Sequence, residues 1–136
     1  TGIDLSEKML AQAKKKNLFT ALHQDDCVEG LEKYQHFFDL VIAADVFVYW
    51  GNVTPLFQAL AKAMKPGGLL SFSIELTEGN AFCLSPSGRF HHAFAYIQSE
   101  AEKHAFQLLD FKKAQTRTQN EKAVIGGLFL LASPAG

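Results

Sequence analysis

The sequence predicts an α/β protein with a doubly wound, mainly parallel sheet that finishes in an antiparallel hairpin. Three observations lead there. Apolar strand-like runs alternate with segments whose apolar residues recur at helical spacing. Phe38-Asp39-Leu40-Val41-Ile42-Ala43-Ala44 is a near-continuous apolar run, the pattern of an interior parallel strand covered on both faces. The last two apolar runs, Gln107 to Lys113 and Ala123 to Ala132, have no helix between them and should pair antiparallel.

In chain order, Gly2-Ile3-Asp4 is the end of a short strand, and Ser6 caps a helix running to about Lys16. Met9, Leu10 and Ala13 share one face of that helix, and Asn17 suits the turn that ends it. Phe19 to His23 forms the next strand, leading to Gln24-Asp25-Asp26, and Leu31 and Tyr34 belong to a brief helix or turn. After the Phe38 strand, Thr54-Pro55 opens a helix, cap followed by proline in the first turn. Leu56, Phe57, Leu60, Ala61 and Met64 form its apolar stripe, and Lys65-Pro66-Gly67-Gly68 stops it. Leu69 to Leu76 is a buried strand, and Thr77 to Gly88 is polar and glycine-rich, a loop. Phe94, Ile97, Ala101 and Ala105 mark a further amphipathic helix before the hairpin.

Composition narrows the function classes. The 136 residues suit one domain. Lys and Arg number 13 against 14 acids, a balance without the basic field that draws in nucleic acid or anionic lipid. No apolar run approaches the ~20 residues of a membrane helix. The densest cation run, Lys14-Lys15-Lys16, falls where it offsets the negative end of a helix dipole. Cys27 and Cys83 fit neither a metal site nor a disulfide scaffold, so free thiols in a reducing cytoplasm are expected. No metal is required, and His23, His36 and His104 form no cluster.

Asp4 is the first residue to carry chemistry. An acid at the tip of a strand in a nucleotide-binding α/β sheet accepts hydrogen bonds from ribose hydroxyls. It normally follows a glycine-rich turn by about 20 residues, and only Thr1-Gly2-Ile3 stands before it here.

Three segments then carry a family resemblance. They are Gly2-Ile3-Asp4-Leu5-Ser6-Glu7-Lys8-Met9-Leu10, Phe38-Asp39-Leu40-Val41 through Ala44-Asp45-Val46, and Leu60-Ala61-Lys62-Ala63-Met64-Lys65-Pro66-Gly67-Gly68-Leu69-Leu70. In order and spacing the chain resembles the class I S-adenosylmethionine-dependent methyltransferases, whose fold is Rossmann-like. Residues 1–136 then form a partial methyltransferase domain, from second strand to C-terminus, lacking the first strand and the glycine-rich loop. Ala44-Asp45-Val46-Phe47-Val48-Tyr49 and Gly88-Arg89-Phe90-His91-His92 are similar to bacterial methyltransferases linked to tetratricopeptide repeats.

The resemblance implies S-adenosylmethionine as cofactor. Asp4 would hold both ribose hydroxyls, because a carboxylate accepts two charge-assisted hydrogen bonds at once. Leu5 and Met9 would pack near the adenine, a place equally natural for core residues. Asp26 would accept from the adenine amino group with Cys27 giving its backbone N–H, or Asp25 would do so, shifted by one. Ala44 and Asp45 would meet the methionine end, where Asp45 orients the amine or caps a loop. Tyr49 and Trp50 are candidates for the acceptor side, whereas Phe47 suits packing. Arg89 and His92 are candidates for anchoring or deprotonating the acceptor, with His91 as the alternative base or both histidines on the surface.

The acceptor implied is a small molecule or a protein. The Asn/Asp-Pro-Pro-aromatic signature of amino-methylating nucleic-acid enzymes is not found after the Phe38 strand. In the family sheet the first strand is central, and its loss leaves two apolar edges unpaired. The chain is therefore expected to be a portion of a longer polypeptide, or to re-pair its strands in a homo-oligomer. The alternatives are a non-catalytic interaction domain derived from a methyltransferase and a nicotinamide-dependent Rossmann domain. The closing hairpin argues against the second.

Overall fold

The computed structural model describes residues 2–4, 22–24, 27–43, 46–119 and 122–134. Strands β1 (Gly2–Asp4) and β2 (Leu22–Gln24) are followed by helix α1 (Cys27–Glu32) and strand β3 (Phe38–Ala43). A 3₁₀ turn (Phe47–Tyr49) leads to α2 (Thr54–Ala63) and β4 (Met64–Thr77). Then come β5 (Phe82–Leu84), β6 (Phe90–Ala93), α3 (Phe94–Lys103), β7 (Gln107–Gln119) and β8 (Lys122–Ala132).

Strand β4 organises the larger, six-stranded sheet. At Leu69–Phe72 it pairs with β3 in parallel and with β8 antiparallel, so those two lie on opposite edges. At Glu75–Thr77 it pairs in parallel with β6, while Glu75 also faces Gly126 of β8. Strands β3 and β6 thus share one edge of β4, and β6 continues where β3 ends. Only a strand as long as the 14-residue β4 can carry two neighbours end to end. The β7–β8 hairpin is antiparallel, as its sequence predicts, and both strands run further into the turn than the apolar residues alone suggest.

The core lies between the sheet and helices α2 and α3. Leu56, Phe57 and Leu60 of α2 are buried at the predicted spacing, together with Ile97 and Ala101 of α3. The Phe47 ring stacks on Phe72 at 4.0 Å, and Phe72 on Phe129 at 4.9 Å. Burying each such ring contributes roughly 1.5–3 kcal/mol. This aromatic column fixes the turn after β3 to the middle of β4.

Several expectations need correction. The segment Thr77 to Gly88 is not all loop, because Phe82–Leu84 pairs with β6. Phe90–Ala93, between that segment and the predicted helix, is likewise a strand. Ala105 is not helical: α3 ends at Lys103, and Ala105 has φ 62° in the turn that follows. Thr54 is the first residue of α2 rather than its cap; Asn52 Oδ1 accepts the Thr54 N–H at 3.0 Å in that role. The Lys65–Gly68 stretch is absorbed into β4 as an irregularity opposite Phe38–Leu40, with Gly67 at φ 72°.

Strand β3 is not covered on both faces. Leu40 and Ile42 are 53% and 70% exposed, whereas Val41 packs on the core and Ala43 is buried. Alternation along the strand puts Leu40 and Ile42 on the face away from the helices, where none of the described helices lies over them. Strands β1 and β2 form a separate parallel pair, and no ladder joins them to β3 among the described residues. The predicted helix Ser6–Lys16 lies outside the described residues.

Candidate active site

In open α/β sheets, ligands bind beyond the carboxyl ends of the parallel strands. Asp4 is the last residue of β1 and stands beside Gln24, the last of β2, in a parallel register. Cys27 opens α1 three residues beyond Gln24. Of the other predicted cofactor residues, Leu5, Met9, Asp26, Ala44 and Asp45 lie outside the described residues, as does Asp25.

The acceptor-side candidates are described in detail. Beyond the carboxyl end of β3 the chain enters the 3₁₀ turn, which buries Phe47 and Val48 and leaves Tyr49 63% exposed. Strand β6 occupies the same edge of β4 directly past that end. Ala43 is opposite Phe72 and His91 opposite Glu75, three residues along β4 and so roughly 10 Å further. The turn Ser85–Gly88 delivers the chain to β6: Gly88 N–H donates to Ser85 O at 3.0 Å, and Gly88 sits at φ 83°, a conformation that favours glycine.

Arg89 leaves that turn with its Nε donating to Glu75 Oε1 at 2.7 Å. The second oxygen, Oε2, lies 2.9 Å from His91 Nε2. The Arg89 guanidinium carbon also stands 5.7 Å from the centre of the Tyr49 ring, within cation–π range. A near-completely buried carboxylate is therefore matched with two side chains on its own sheet face, which offsets the cost of removing it from water. The structure thus groups Tyr49 and Arg89 with His91, the alternative base, and with Glu75, which the sequence analysis did not single out.

His92 is elsewhere. Alternation along β6 turns it to the opposite face from His91. It is wholly buried, its Nε2 lies 2.6 Å from the Trp50 carbonyl oxygen, and its Nδ1 has no hydrogen-bond partner. The carbonyl can only accept, so the ring proton sits on Nε2. Burial holds the His92 pKa below its usual value, against the raising effect of its backbone hydrogen bonds to Trp50 and Gly51. This imidazole ties β6 to the residue that follows the 3₁₀ turn and is closed off from solvent. Gly51 passes so close that a Cβ there would stand 2.6 Å from the Phe82 ring and 2.7 Å from the Phe90 ring. Tyr96 stacks beside His92, and its hydroxyl accepts the Val53 N–H at 3.1 Å. Burial raises the Tyr96 pKa, with Glu100 adding to the shift and the Val53 bond opposing it.

Glu75 carried a signal in the sequence, as the single charge inside the apolar run Leu69–Leu76. Lone acids in buried strands persist only when paired. A hollow of about 360 Å³ between α3 and the hairpin, lined by Ile97, Ala101, Phe129 and Leu131, lies toward the amino end of β4 and takes no part in this site. Among the described residues no cluster of side chains suits a metal ion, and no helix is long and apolar enough to cross a membrane.

A family model described as a methyltransferase domain matches residues 1–70. The chain belongs to that family. A S-adenosylmethionine-dependent methyltransferase from Methanosarcina mazei superposes with a TM-score of 0.70 at 13% identity, over 99% of this chain and 82% of that one. The [4+2]-cyclase SpnF gives 0.79 at 14% identity, over 99% and 66%. The N-methyltransferase NodS from Bradyrhizobium japonicum, in complex with S-adenosyl-L-homocysteine, gives 0.67 at 15% identity, over 97% and 65%. No curated protein sequence matches the chain. The fold is that of the Rossmann-like methyltransferases, and the chain spans about two thirds of the length of two of these three structures.

Proposed function

We propose that the chain binds S-adenosylmethionine along the carboxyl ends of β1, β2 and β3 and transfers its methyl group to an acceptor held at Tyr49 and Arg89. The observation that carries this reading is that polar groups stand at the carboxyl ends of parallel strands in both sheets. Asp4 closes β1, and the Tyr49–Arg89–Glu75–His91 group sits directly past the end of β3. The donor set suits the cofactor: Asp4 would take the ribose hydroxyls, Asp26 or Asp25 and the Cys27 amide the adenine, and Ala44 and Asp45 the methionine end. Bound there, the cofactor supplies an activated methyl on a sulfonium.

The protein's own part is alignment. Holding donor and acceptor in line supplies up to ~7–11 kcal/mol of barrier reduction. Arg89, fixed by Glu75, and the exposed Tyr49 ring form a surface on which an acceptor can lie. The Gly88–His92 likeness to tetratricopeptide-linked bacterial methyltransferases favours the same location. The acceptor is a small molecule or a protein side chain, and the exposed thiol of Cys83 fits a cytoplasmic setting.

The SpnF match favours a second reading, since fold alone does not fix the reaction. The same edge would then bind the cofactor, or nothing, without methyl transfer. Calorimetric titration with S-adenosylhomocysteine tests the first step. Binding is expected, and Asp4→Ala should weaken it by roughly ten- to a hundredfold, the loss of charge-assisted hydrogen bonds. Equal affinity in the two proteins would remove Asp4 from the site. Label transfer from methyl-labelled cofactor to an acceptor separates the methyltransferase from the inactive domain.

A further inference from the structure

We propose that His91, oriented by Glu75, is the base that takes the proton from the acceptor, and that the acceptor group is therefore a hydroxyl. The proposal rests on the methyl-transfer reading above. Glu75 Oε2 can only accept while ionised, so the 2.9 Å contact places the ring proton of neutral His91 on Nε2. Nδ1 then carries the ring's basic lone pair, on a side chain that is 27% exposed. The carboxylate behind it is 2% exposed and held from its other oxygen by Arg89 at 2.7 Å. This is the orienter–base arrangement of nucleophile-activating sites, with the carboxylate fixing the tautomer and stabilising the imidazolium that forms.

The chemistry of acceptors then selects among them. A carboxylate is already ionised at neutral pH, an aryl amine attacks through its own lone pair, and an alkylammonium is a cation that the neighbouring Arg89 guanidinium disfavours. An alcohol or phenol needs its proton removed, since a phenolic hydroxyl ionises only near pH ~10. In the step proposed, the hydroxyl proton passes to His91 Nδ1 and the oxygen forms a bond to the methyl carbon. The methyl–sulfur bond breaks with its electron pair kept by sulfur. The products are a methyl ether and a neutral thioether, and the imidazolium later gives its proton to water. The Tyr49 ring, on the Arg89 guanidinium, gives an acceptor ring on this face an aromatic surface to lie against.

The experiment uses the whole chain with S-adenosylmethionine and three probes: phenol, 4-nitrophenol and aniline. Long-range ¹H–¹⁵N NMR should find His91 protonated on Nε2 in the wild type; a proton on Nδ1 overturns the proposal without any turnover. Phenol should be methylated, and His91→Ala should lower kcat on it by about 10²-fold or more, with imidazole restoring part of the rate. On 4-nitrophenol at about pH 8.5, where the acceptor is already ionised, the same variant should lose far less. Glu75→Gln should lower kcat on phenol with S-adenosylhomocysteine affinity unchanged. Equal losses on both phenols, transfer only to aniline, or no transfer to phenol while S-adenosylhomocysteine binds each overturn the hydroxyl assignment. Failure of S-adenosylhomocysteine to bind overturns instead the cofactor reading on which it rests.

Discussion

Arg89 and Glu75 form a short ion pair, 2.7 Å from Nε to Oε1, that joins the start of β6 to the carboxyl end of β4. Glu75 is almost fully buried and Arg89 mostly so. The pair fixes both the guanidinium beneath Tyr49 and, through the second oxygen, the His91 ring. Removing one partner takes the nearest opposite charge from the other, which stays buried.

Glu75→Leu should therefore destabilise the protein by about 3–5 kcal/mol, and Arg89→Leu by less, since His91 still faces the Glu75 carboxylate. The double replacement Glu75→Leu with Arg89→Leu should recover much of that loss, because an apolar pair avoids the desolvation cost. Urea unfolding of the two singles and the double closes the cycle. Strictly additive losses would mean the contact carries no coupling energy.

The strand and helix order was legible because apolar periodicity reports which face is buried. Leu56, Phe57 and Leu60 are buried on α2 as that logic requires, and the hairpin follows from two runs with no helix between them. Short edge strands escaped it. Phe82–Leu84 is exposed on every residue, so nothing in its pattern separates it from a loop. Ala105 fits the α3 stripe by spacing, yet a chain turning into β7 takes it to φ 62°. At the site, Tyr49 and Arg89 were named through the family resemblance of Ala44–Tyr49 and Gly88–His92 rather than from periodicity. The histidines were not separable by sequence, since adjacent strand residues point to opposite faces and only pairing with β4 shows which one meets Glu75. Leu40 and Ile42 look like core from their hydrophobicity, but a residue's chemistry does not state what covers it.

Tyr96 offers a test on the helix side of the same region. Its hydroxyl accepts the Val53 N–H at 3.1 Å, and Val53 is fully buried at the entry to α2. Tyr96→Phe keeps the ring that packs near Phe82 and His92 but removes the acceptor. The stranded backbone donor should cost about 1–3 kcal/mol, read as a drop in urea midpoint with unchanged slope. A loss near zero would show that another group satisfies Val53.

His92 should make stability fall in mild acid. Its folded pKa is lowered, chiefly by burial, so the folded ring resists protonation that the unfolded ring accepts. Above about pH 6.5 both states are neutral and His92 contributes no slope. Below it the unfolded state binds the extra proton, and stability declines by up to ~1.4 kcal/mol per pH unit until the folded ring also titrates. His92→Gln keeps an amide donor for the Trp50 carbonyl and has no titration. Urea midpoints at pH 7.5 and 5.0 should therefore fall further in the wild type than in the variant. Equal declines would mean that the ring is charged in the folded protein, and the Trp50 carbonyl would then be bonded to an imidazolium.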